Sequence, residues 1–242
     1  MFKLRVHIAP VGFERDRVVQ PILKMKADKV WLLYEKDPKR DQAKPFREKV
    51  LAILKKKGIQ CKLAACTIDD LYDVLHVIKK VIDDEKKNEL FINVSTGTKI
   101  EAIAGMMAAM IFKNGTSIVP YYAVPERYET QEKPMSYGLK ETIQLPDYRI
   151  TLPDPELIKA LAIIAEKEEG FKKKNLIERF QKDELISVGP KAKFPASSLH
   201  MSINKKYLER LIELDLIISE GTGRKRKIKI TPQGKNMLKF LS

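Results

Sequence analysis

Cysteine and histidine are scarce in this chain of 242 residues, and the few that are present form no set of metal ligands. His7, His76 and His200 fall in three different predicted elements, and Cys61 and Cys66 have no second pair to complete a site. Because a zinc site needs clustered ligands at characteristic spacings, we expect no metal and no cofactor. We expect both thiols to be reduced and structural.

Long apolar runs are also missing. The longest mostly apolar stretch, residues 100–112, is bounded by Lys99 and Lys113 and is shorter than the roughly 18 residues that a membrane span needs. The first ten residues alternate charged and apolar side chains, which indicates a strand rather than a signal peptide. These two features predict a cytoplasmic protein with no membrane partner.

Positive charge is in excess. Lys and Arg number 46 against 32 Asp and Glu, for a formal net charge of +14. Such an excess attracts polyanions such as nucleic acids, although a lysine-rich composition is also common in proteins from hot environments. The charge favours a nucleic-acid partner without identifying one.

Strand and helix patterns alternate over residues 1–150. Short runs rich in Val, Ile, Leu and Tyr indicate strands, and stretches with helical spacing separate them. This alternation predicts parallel strands joined by right-handed crossovers, hence a Rossmann-like α/β three-layer sandwich with a mainly parallel sheet. The predicted strands are 2–9, 29–35, 59–65, 89–95 and 116–122.

Prolines are concentrated between residues 120 and 155. Since proline interrupts helices and central strands, this region is predicted to hold a loop, an edge hairpin and a linker. We place a domain boundary near Leu152, which divides the chain into domains of residues 1–150 and 151–242.

The second domain combines helices with two short strands. Amphipathic helices are predicted at 156–166, 174–181 and about 196–214, strands at 216–219 and 227–230, and a last helix at 232–240. Thr231 is the expected N-cap of the last helix, with Pro232 at its first position. Three helices, a two-stranded wing and a final helix are typical of a winged helix-turn-helix domain.

In such a domain the third helix enters the major groove of double-stranded DNA and the wing contacts the backbone. The basic tip of the wing suits phosphate contacts, although winged helices also bind proteins, and that alternative stays open. The expected DNA-contacting residues are Ser197, Ser198, His200, Asn204, Lys205, Lys206, Arg224, Lys225, Arg226 and Lys227.

Two loops of the first domain follow predicted strands one and four, at the edge where open parallel sheets bind ligands. The first is residues 10–17. The second, residues 93–99, places hydroxyl groups, Gly97 and Lys99 at the start of a helix, which is the composition of an anion site. Neither the GxxxxGK[ST] nor the GxGxxG pattern is present, and the alternative for Gly97 is a simple strand-to-helix turn.

These loops and the winged helix together resemble a known family. Gly12, Glu14, Asp16 and Arg17 after strand one, and the stretch Asn93 to Lys99 after strand four, are similar to motifs of the archaeal CARF (CRISPR-associated Rossmann fold) winged-helix proteins. The resemblance implies a homodimer that binds a cyclic oligoadenylate, usually cyclic tetra-adenylate, in a shared pocket. The implied ligand contacts are Gly12, Phe13, Glu14, Arg17, Ser95, Thr96, Gly97, Thr98 and Lys99.

The acidic residues of the first loop depart from what a polyphosphate site requires. We expect Glu14 and Asp16 either to cap the helix or to bind ribose hydroxyls or adenine.

The resemblance leaves two functions open. One is a CRISPR-associated transcription regulator, in which the ligand changes the affinity of the winged helices for DNA. The other is a metal-independent ring nuclease, in which Ser95 and Lys99 are catalytic because they position and stabilise the cleaved phosphate. A regulator that responds to an ordinary nucleotide is a third reading, since the anion loop is generic.

Overall fold

The computed structural model describes residues 2–113, 116–129, 135–146, 148, 150–186, 203–221 and 226–241. The chain divides into two compact units, Met1–Thr151 and Leu152–Ser242. Within the described ranges, every helix is too short or too polar to cross a membrane.

The first unit is an α/β domain. Its elements are β1 Arg5–Pro10, α1 Arg15–Lys24, β2 Lys29–Glu35, α2 Lys44–Lys56, β3 Gln60–Cys66, α3 Leu71–Asp84, β4 Glu89–Asn93, α4 Lys99–Ile111, β5 Ser117–Val124, β6 Arg127–Glu129, β7 Met135–Tyr137 and β8 Glu141–Gln144. Six of the strands form one sheet with the order β3-β2-β1-β4-β5-β8. Strands β1 to β5 run parallel, and β8 pairs antiparallel with β5 at the edge. The predicted fold class is confirmed.

Strand β1 lies at the centre of this sheet. Residues Val6 to Pro10 are all buried, as expected for a parallel strand that helices cover on both faces. Because β1 pairs with both β2 and β4, the strand order reverses at β1, and the loops that follow β1 and β4 become neighbours. Open α/β sheets bind their ligands at such a reversal.

Helix α4 packs against the sheet through its small residues. Ala104, Gly105 and Ala108 are buried, and a Cβ on Gly105 would lie 3.0 Å from side-chain atoms of β4 and the residue after it. The larger Ile103 is 50% exposed. The small residues therefore set a close helix–sheet distance and leave an apolar side facing outwards.

The second unit is a winged helix domain. Its core is formed by buried residues between Leu157 and Ile230, and the partly buried Met237 and Leu238 of the last helix pack against it. Gly234 N donates a hydrogen bond of 3.0 Å to Thr231 Oγ1, so the predicted N-cap is present. The elements are α5 Pro155–Ala165, β9 Phe171–Lys172, α6 Lys173–Lys182, a π-helical segment Asn204–Leu208 continued by α7 Glu209–Glu213, β10 Ile217–Glu220, β11 Lys227–Ile230 and α8 Pro232–Leu241.

The wing has one more strand than the sequence pattern indicated. The two-residue β9 pairs with β11, which gives a sheet of order β10-β11-β9. Two residues are too few to show an alternating pattern, and only pairing with β11 reveals this strand. The predicted start of the third helix, at about residue 196, lies outside the described residues.

Candidate functional site

The loops after β1 and β4 meet at Gly12 and Gly97. A Cβ on Gly12 would stand 3.0 Å from the backbone nitrogen of Gly97, so the two backbones approach as closely as glycine allows. Gly97 itself has a φ of +79°, a conformation that glycine adopts without strain. Thr96 Oγ1 donates a 2.7 Å hydrogen bond to the carbonyl of Pro10, which ties the second loop to the end of β1.

The hydroxyl groups of the second loop are engaged within the domain. Ser95 Oγ accepts a hydrogen bond from Ala123 N in β5, and the side chain of Thr96 is buried. Thr98 Oγ1 donates to the carbonyl of Ile68 at 3.0 Å. These three side chains hold the loop in place, and backbone groups and Lys99 face its exposed side.

Thr98 begins α4 through a reciprocal cap. Thr98 Oγ1 accepts from Glu101 N at 3.1 Å, and Thr98 N donates to Glu101 Oε2 at 2.6 Å. This is a capping box, which the T-x-x-E spacing at 98–101 would have indicated. It fixes the direction of the first turn of α4 and buries Glu101.

Lys99 is the exposed cation of this site. It lies in the first turn of α4 and makes neither an ion pair nor a hydrogen bond with any residue that the structure describes. The positive end of the helix dipole lies at the same turn. A free lysine beside a helix N-terminus can bind a phosphate group.

The charged residues of the first loop contact other parts of the domain. Arg17 is buried; its Nε donates to the carbonyl of Ala123 at 2.9 Å, and its Nη1 pairs with Glu14 Oε2 at 2.9 Å. Glu14 also accepts hydrogen bonds from the backbone and hydroxyl of Ser136, and Asp16 accepts one from Gly138 N. Glu14 precedes α1 without capping it by its side chain. Glu14 and Asp16 therefore hold the hairpin of strands β6 and β7 against the start of α1.

A cleft of about 910 Å³ opens beside the joined loops. It lies at the carboxyl ends of β1, β2, β3 and β4, and Gly12, Gly97 and Thr98 line it. Phe13, which is 48% exposed, forms part of its wall and contacts Phe46 edge-on, with 5.4 Å between the ring centroids. The cleft is large enough for one nucleotide unit and has an aromatic wall.

Two buried carboxyl groups line the inner part of the cleft. Glu35 is 4% exposed and Glu101 is 1% exposed. Glu35 accepts hydrogen bonds from the backbone of Asp37 and Ile68. Burial raises the pKa of Glu101 to about 7, the charge of Glu35 adds to the rise, and the hydrogen bonds from Thr98 oppose it. Glu101 therefore titrates near neutral pH.

Two oxygen atoms in this cleft have no hydrogen-bond partner among the residues that the structure describes: Glu101 Oε1 and Asp41 Oδ1. The other oxygen of Asp41 forms a 2.6 Å ion pair with Arg47, and the other oxygen of Glu101 receives Thr98 N. Buried polar atoms are rarely left unpaired, so each of these two oxygens is an acceptor that a ligand, a water molecule or an ion can satisfy.

The sequence analysis singled out neither Glu35, Asp41 nor Glu101. Glu35 ends β2, where Rossmann folds often place an acidic residue for a ribose, and that position was a usable signal. Asp41 lies in an irregular loop, where no pattern indicates its role.

The candidate DNA-contacting residues of the second unit lie in the third helix and in the wing. Among those described, Lys205 is exposed, Asn204 donates to Glu209 at 3.0 Å, and Lys206 pairs with Glu156 at 2.7 Å. In the wing, Arg226 is exposed and Lys227 is half-buried. Ser197, Ser198, His200, Arg224 and Lys225 lie outside the described residues.

The third wing strand adds a basic residue that the sequence analysis missed. Lys172 of β9 stands opposite Lys227 of β11. Like charges in opposite positions of an antiparallel pair repel each other, and a bound polyanion relieves that repulsion.

The two cysteines, Cys61 and Cys66, are free thiols, as predicted. Burial raises the pKa of Cys66 to about 12. His7 is buried against Tyr121, and burial lowers its pKa to about 3. The described ranges contain no cluster of possible metal ligands.

Comparisons with known proteins give matches over both units. The family model described as "HFX_2341_N:-like, N-terminal" matches residues 5–128, and the DUF6293 C-terminal winged helix domain matches residues 156–242. "Uncharacterized protein MJ1513" of Methanocaldococcus jannaschii is 26% identical, over 98% of this chain and 96% of that protein.

Solved structures are similar at a lower level. Can2 from Sulfobacillus thermosulfidooxidans, in complex with cyclic tetra-adenylate, is 12% identical over 98% of this chain and 63% of that chain, with a TM-score of 0.43. Enterococcus italicus Csm6, bound to cyclic hexa-2'-fluoro-hexa-dAMP, is 9% identical over 88% of this chain and 56% of that chain, with a TM-score of 0.42. This chain spans less than two thirds of the length of either protein.

The two domain types that the resemblance implied, a Rossmann-like α/β domain and a C-terminal winged helix, are both present. Because the first match covers more than half of the chain and the second covers most of the remainder, this protein belongs to the HFX_2341_N-like family and carries a DUF6293 winged helix domain at its C-terminal end.

Proposed function

We propose that this protein binds a cyclic oligoadenylate, with cyclic tetra-adenylate as the first candidate, and that the ligand controls DNA binding by the winged helix domain. The observation that carries the proposal is Lys99 at the N-terminus of α4, directly after the joined loops at Gly12 and Gly97, with no ion pair or hydrogen bond to any residue within the described ranges. This arrangement suits a phosphodiester, because a helix N-terminus and a free cation act on the same anion. It lies where strand order reverses, which is the usual ligand position in such a sheet.

A ring of identical nucleotides requires a symmetric pocket, so the proposal includes an isologous homodimer. The outward side of α4 supports it: Ile103 is half-exposed, and Ile100 and Met107 are half-buried beside it. A connected apolar surface of this kind is typical of an interface. Because Lys99 begins the same helix, pairing through α4 brings the two Lys99 loops near the symmetry axis.

The output we propose is regulation of transcription in a CRISPR system. Ligand binding stabilises one arrangement of the dimer, and that arrangement differs from the free one in its affinity for DNA. The exposed Lys205, Arg226 and Lys172 supply the positive charge for contacts to DNA phosphates.

We favour the regulator over the metal-independent ring nuclease because the chain carries a winged helix domain, a domain type that commonly binds DNA. Lys99 binds phosphate in either function. The affinity for the cyclic ligand therefore cannot distinguish a regulator from a ring nuclease, but the formation of linear products can.

The test is calorimetry of the full-length chain with cyclic tetra-adenylate in the presence of a chelator. Lys99→Ala removes one charge-assisted contact per subunit and is expected to weaken binding by about 1.5 to 3 kcal/mol for each. Lys80→Ala, an exposed lysine on α3, is the matched control and is expected to bind like the wild type.

Three results decide among the alternatives. Absence of binding by the wild type contradicts the proposed ligand, and unchanged affinity of Lys99→Ala contradicts the assignment of the loop. Chromatography of the same samples detects any linear product. Linear adenylates formed in chelator would favour the ring nuclease.

A further inference from the structure

The cleft beside the proposed phosphate site has a chemistry of its own. Its inner wall carries the carboxyl groups of Glu35, Asp41 and Glu101, and the exposed residues Lys39 and Arg40 lie at its rim. Glu35 pairs with Arg40 at 3.6 Å and Asp41 pairs with Arg47 at 2.6 Å, so these buried carboxyl groups act chiefly as hydrogen-bond acceptors. The cleft therefore suits a neutral group with several donors, attached to an anionic group that stays at the rim.

The two unpaired oxygens specify what that group must supply. Glu101 Oε1 and Asp41 Oδ1 are buried and lack a partner within the described part of the chain, although each carboxyl group is anchored through its other oxygen. An unpaired buried acceptor is costly, and a donor on a ligand removes that cost. Both acceptors are held in fixed positions before any ligand arrives.

The aromatic wall adds a second requirement. Phe13 leaves about half of its surface exposed, and Phe46 holds its ring edge-on at 5.4 Å. An exposed aromatic face stacks well on a nucleobase. Ribose hydroxyls and an exocyclic amine are donors of the kind that the two oxygens need.

We propose that this cleft is a nucleoside subsite, in which Glu101 and Asp41 accept hydrogen bonds from the hydroxyl or amino groups of an adenosine unit while its phosphate stays near Lys99. The choice of adenosine rests on the proposed function. The subsite itself requires neither a cyclic ligand nor a dimer, so mononucleotides can test it separately.

The informative substitution is Glu101→Gln. Thr98 N donates to one side-chain oxygen of residue 101, so it holds the oxygen of the new amide and directs the amino group toward the cleft. An acceptor thereby becomes a donor, while glutamine keeps the capping box. Asp41→Asn provides a second variant on a different element, and Glu48→Gln, on the exposed side of α2, is the matched control.

The experiment is calorimetry of these four full-length proteins at pH 8.5, where Glu101 is ionised and Oε1 is an acceptor, with AMP and, separately, with cyclic tetra-adenylate. Circular dichroism first verifies that each protein is folded. We expect AMP to bind the wild type and Glu48→Gln alike and to bind Glu101→Gln and Asp41→Asn about tenfold more weakly, the loss of about one hydrogen bond. Equal AMP affinity in all four proteins, or no AMP binding at all, would overturn the subsite.

The two ligands separate this inference from the proposed function. If AMP binds with the expected pattern and cyclic tetra-adenylate does not bind, the subsite stands and the cyclic ligand is wrong. If cyclic tetra-adenylate binds equally to all four proteins, the proposed function stands and the subsite is wrong. If neither ligand binds the wild type, both fail.

Discussion

The backbone nitrogen of Gly97 stands 3.0 Å from the point that a Cβ on Gly12 would occupy. Two residues that are 85 positions apart are therefore in backbone contact, and a side chain on Gly12 would crowd the backbone of Gly97. The close approach is possible because β1 and β4 are neighbours in the sheet.

Gly12→Ala is expected to lower the free energy of unfolding by about 1 to 3 kcal/mol, because the added methyl group must push the Gly97 loop away. Urea denaturation measures the change. Gly58→Ala is the control: its Cβ would meet no atom within 4 Å, but its φ is +75°, so only a conformational cost of about 1 kcal/mol is expected. If Gly12→Ala is as stable as the wild type and binds ligand equally well, the loops are not held as described.

Glu101 makes stability depend on pH in a direction that can be worked out. Its pKa is about 7 in the folded protein against an ordinary value of 4.5, so the folded state keeps its proton over a range in which the unfolded state has lost it. This contribution to stability is fully present below pH 4.5 and is lost as the pH rises through 7. The difference amounts to at most about 3 kcal/mol.

Glu101→Gln carries no titratable group and is therefore expected to gain stability relative to the wild type as the pH rises from 5 to 8.5. Urea denaturation at several pH values measures the gain. For the control, Glu48→Gln, the free energy of unfolding should differ from that of the wild type by the same amount at every pH. Burial and the charge of Glu35 raise the pKa of Glu101, and the hydrogen bonds from Thr98 lower it. Burial and, in turn, the charge of Glu101 raise the pKa of the Cys66 thiol. His7, whose pKa is lowered, titrates in both proteins and cancels from the comparison. If the free energy of unfolding of Glu101→Gln differs from that of the wild type by the same amount at every pH, the pKa of Glu101 is not raised in the folded protein.

The apolar side of α4 predicts the assembly. Ile103→Asp places a charge on the half-exposed face and is expected to convert a dimer into a monomer at micromolar concentration, as measured by light scattering. Leu63→Asp, on the β3 edge of the sheet and similarly exposed, is the control that should remain dimeric. A monomeric wild type, both with and without cyclic tetra-adenylate, would contradict the dimer.

The wing predicts a salt-dependent contact to DNA. Replacing Arg224, Lys225 and Arg226 by alanine should weaken binding to all sequences alike and reduce the salt slope by about 0.9 for each lost phosphate contact. Fluorescence anisotropy at several salt concentrations measures both effects. Lys172→Ala should behave in the same way, since this residue faces Lys227.

Residues of the third helix should respond differently. Substitutions of Ser198 or Asn204 are expected to change sequence preference, by about 1 to 3 kcal/mol for each specific base contact. If duplex DNA, including the promoter of the protein's own gene, binds the wild type no better than the triple wing variant at low salt, the second domain is a protein-interaction module.

Sequence alone determined the features that depend on neighbours along the chain. Alternating strand and helix patterns were enough to predict the α/β class, because each element needs one kind of apolar periodicity. Gly97 was recognised at a strand-to-helix turn, and Thr231 as an N-cap, because both roles belong to short local motifs.

Tertiary structure alone decided which residues meet. Arg17, the last residue of the first loop, was expected to contact a ligand, but it is buried, its Nε donates to the carbonyl of Ala123, and its Nη1 pairs with Glu14. In α4 the helical spacing was visible, yet only packing against the sheet showed that the small residues lie inside and Ile103 outside. Glu35, Asp41 and Glu101 come from separate elements and share one cleft because the strand order reverses at β1, and no local pattern encodes strand order.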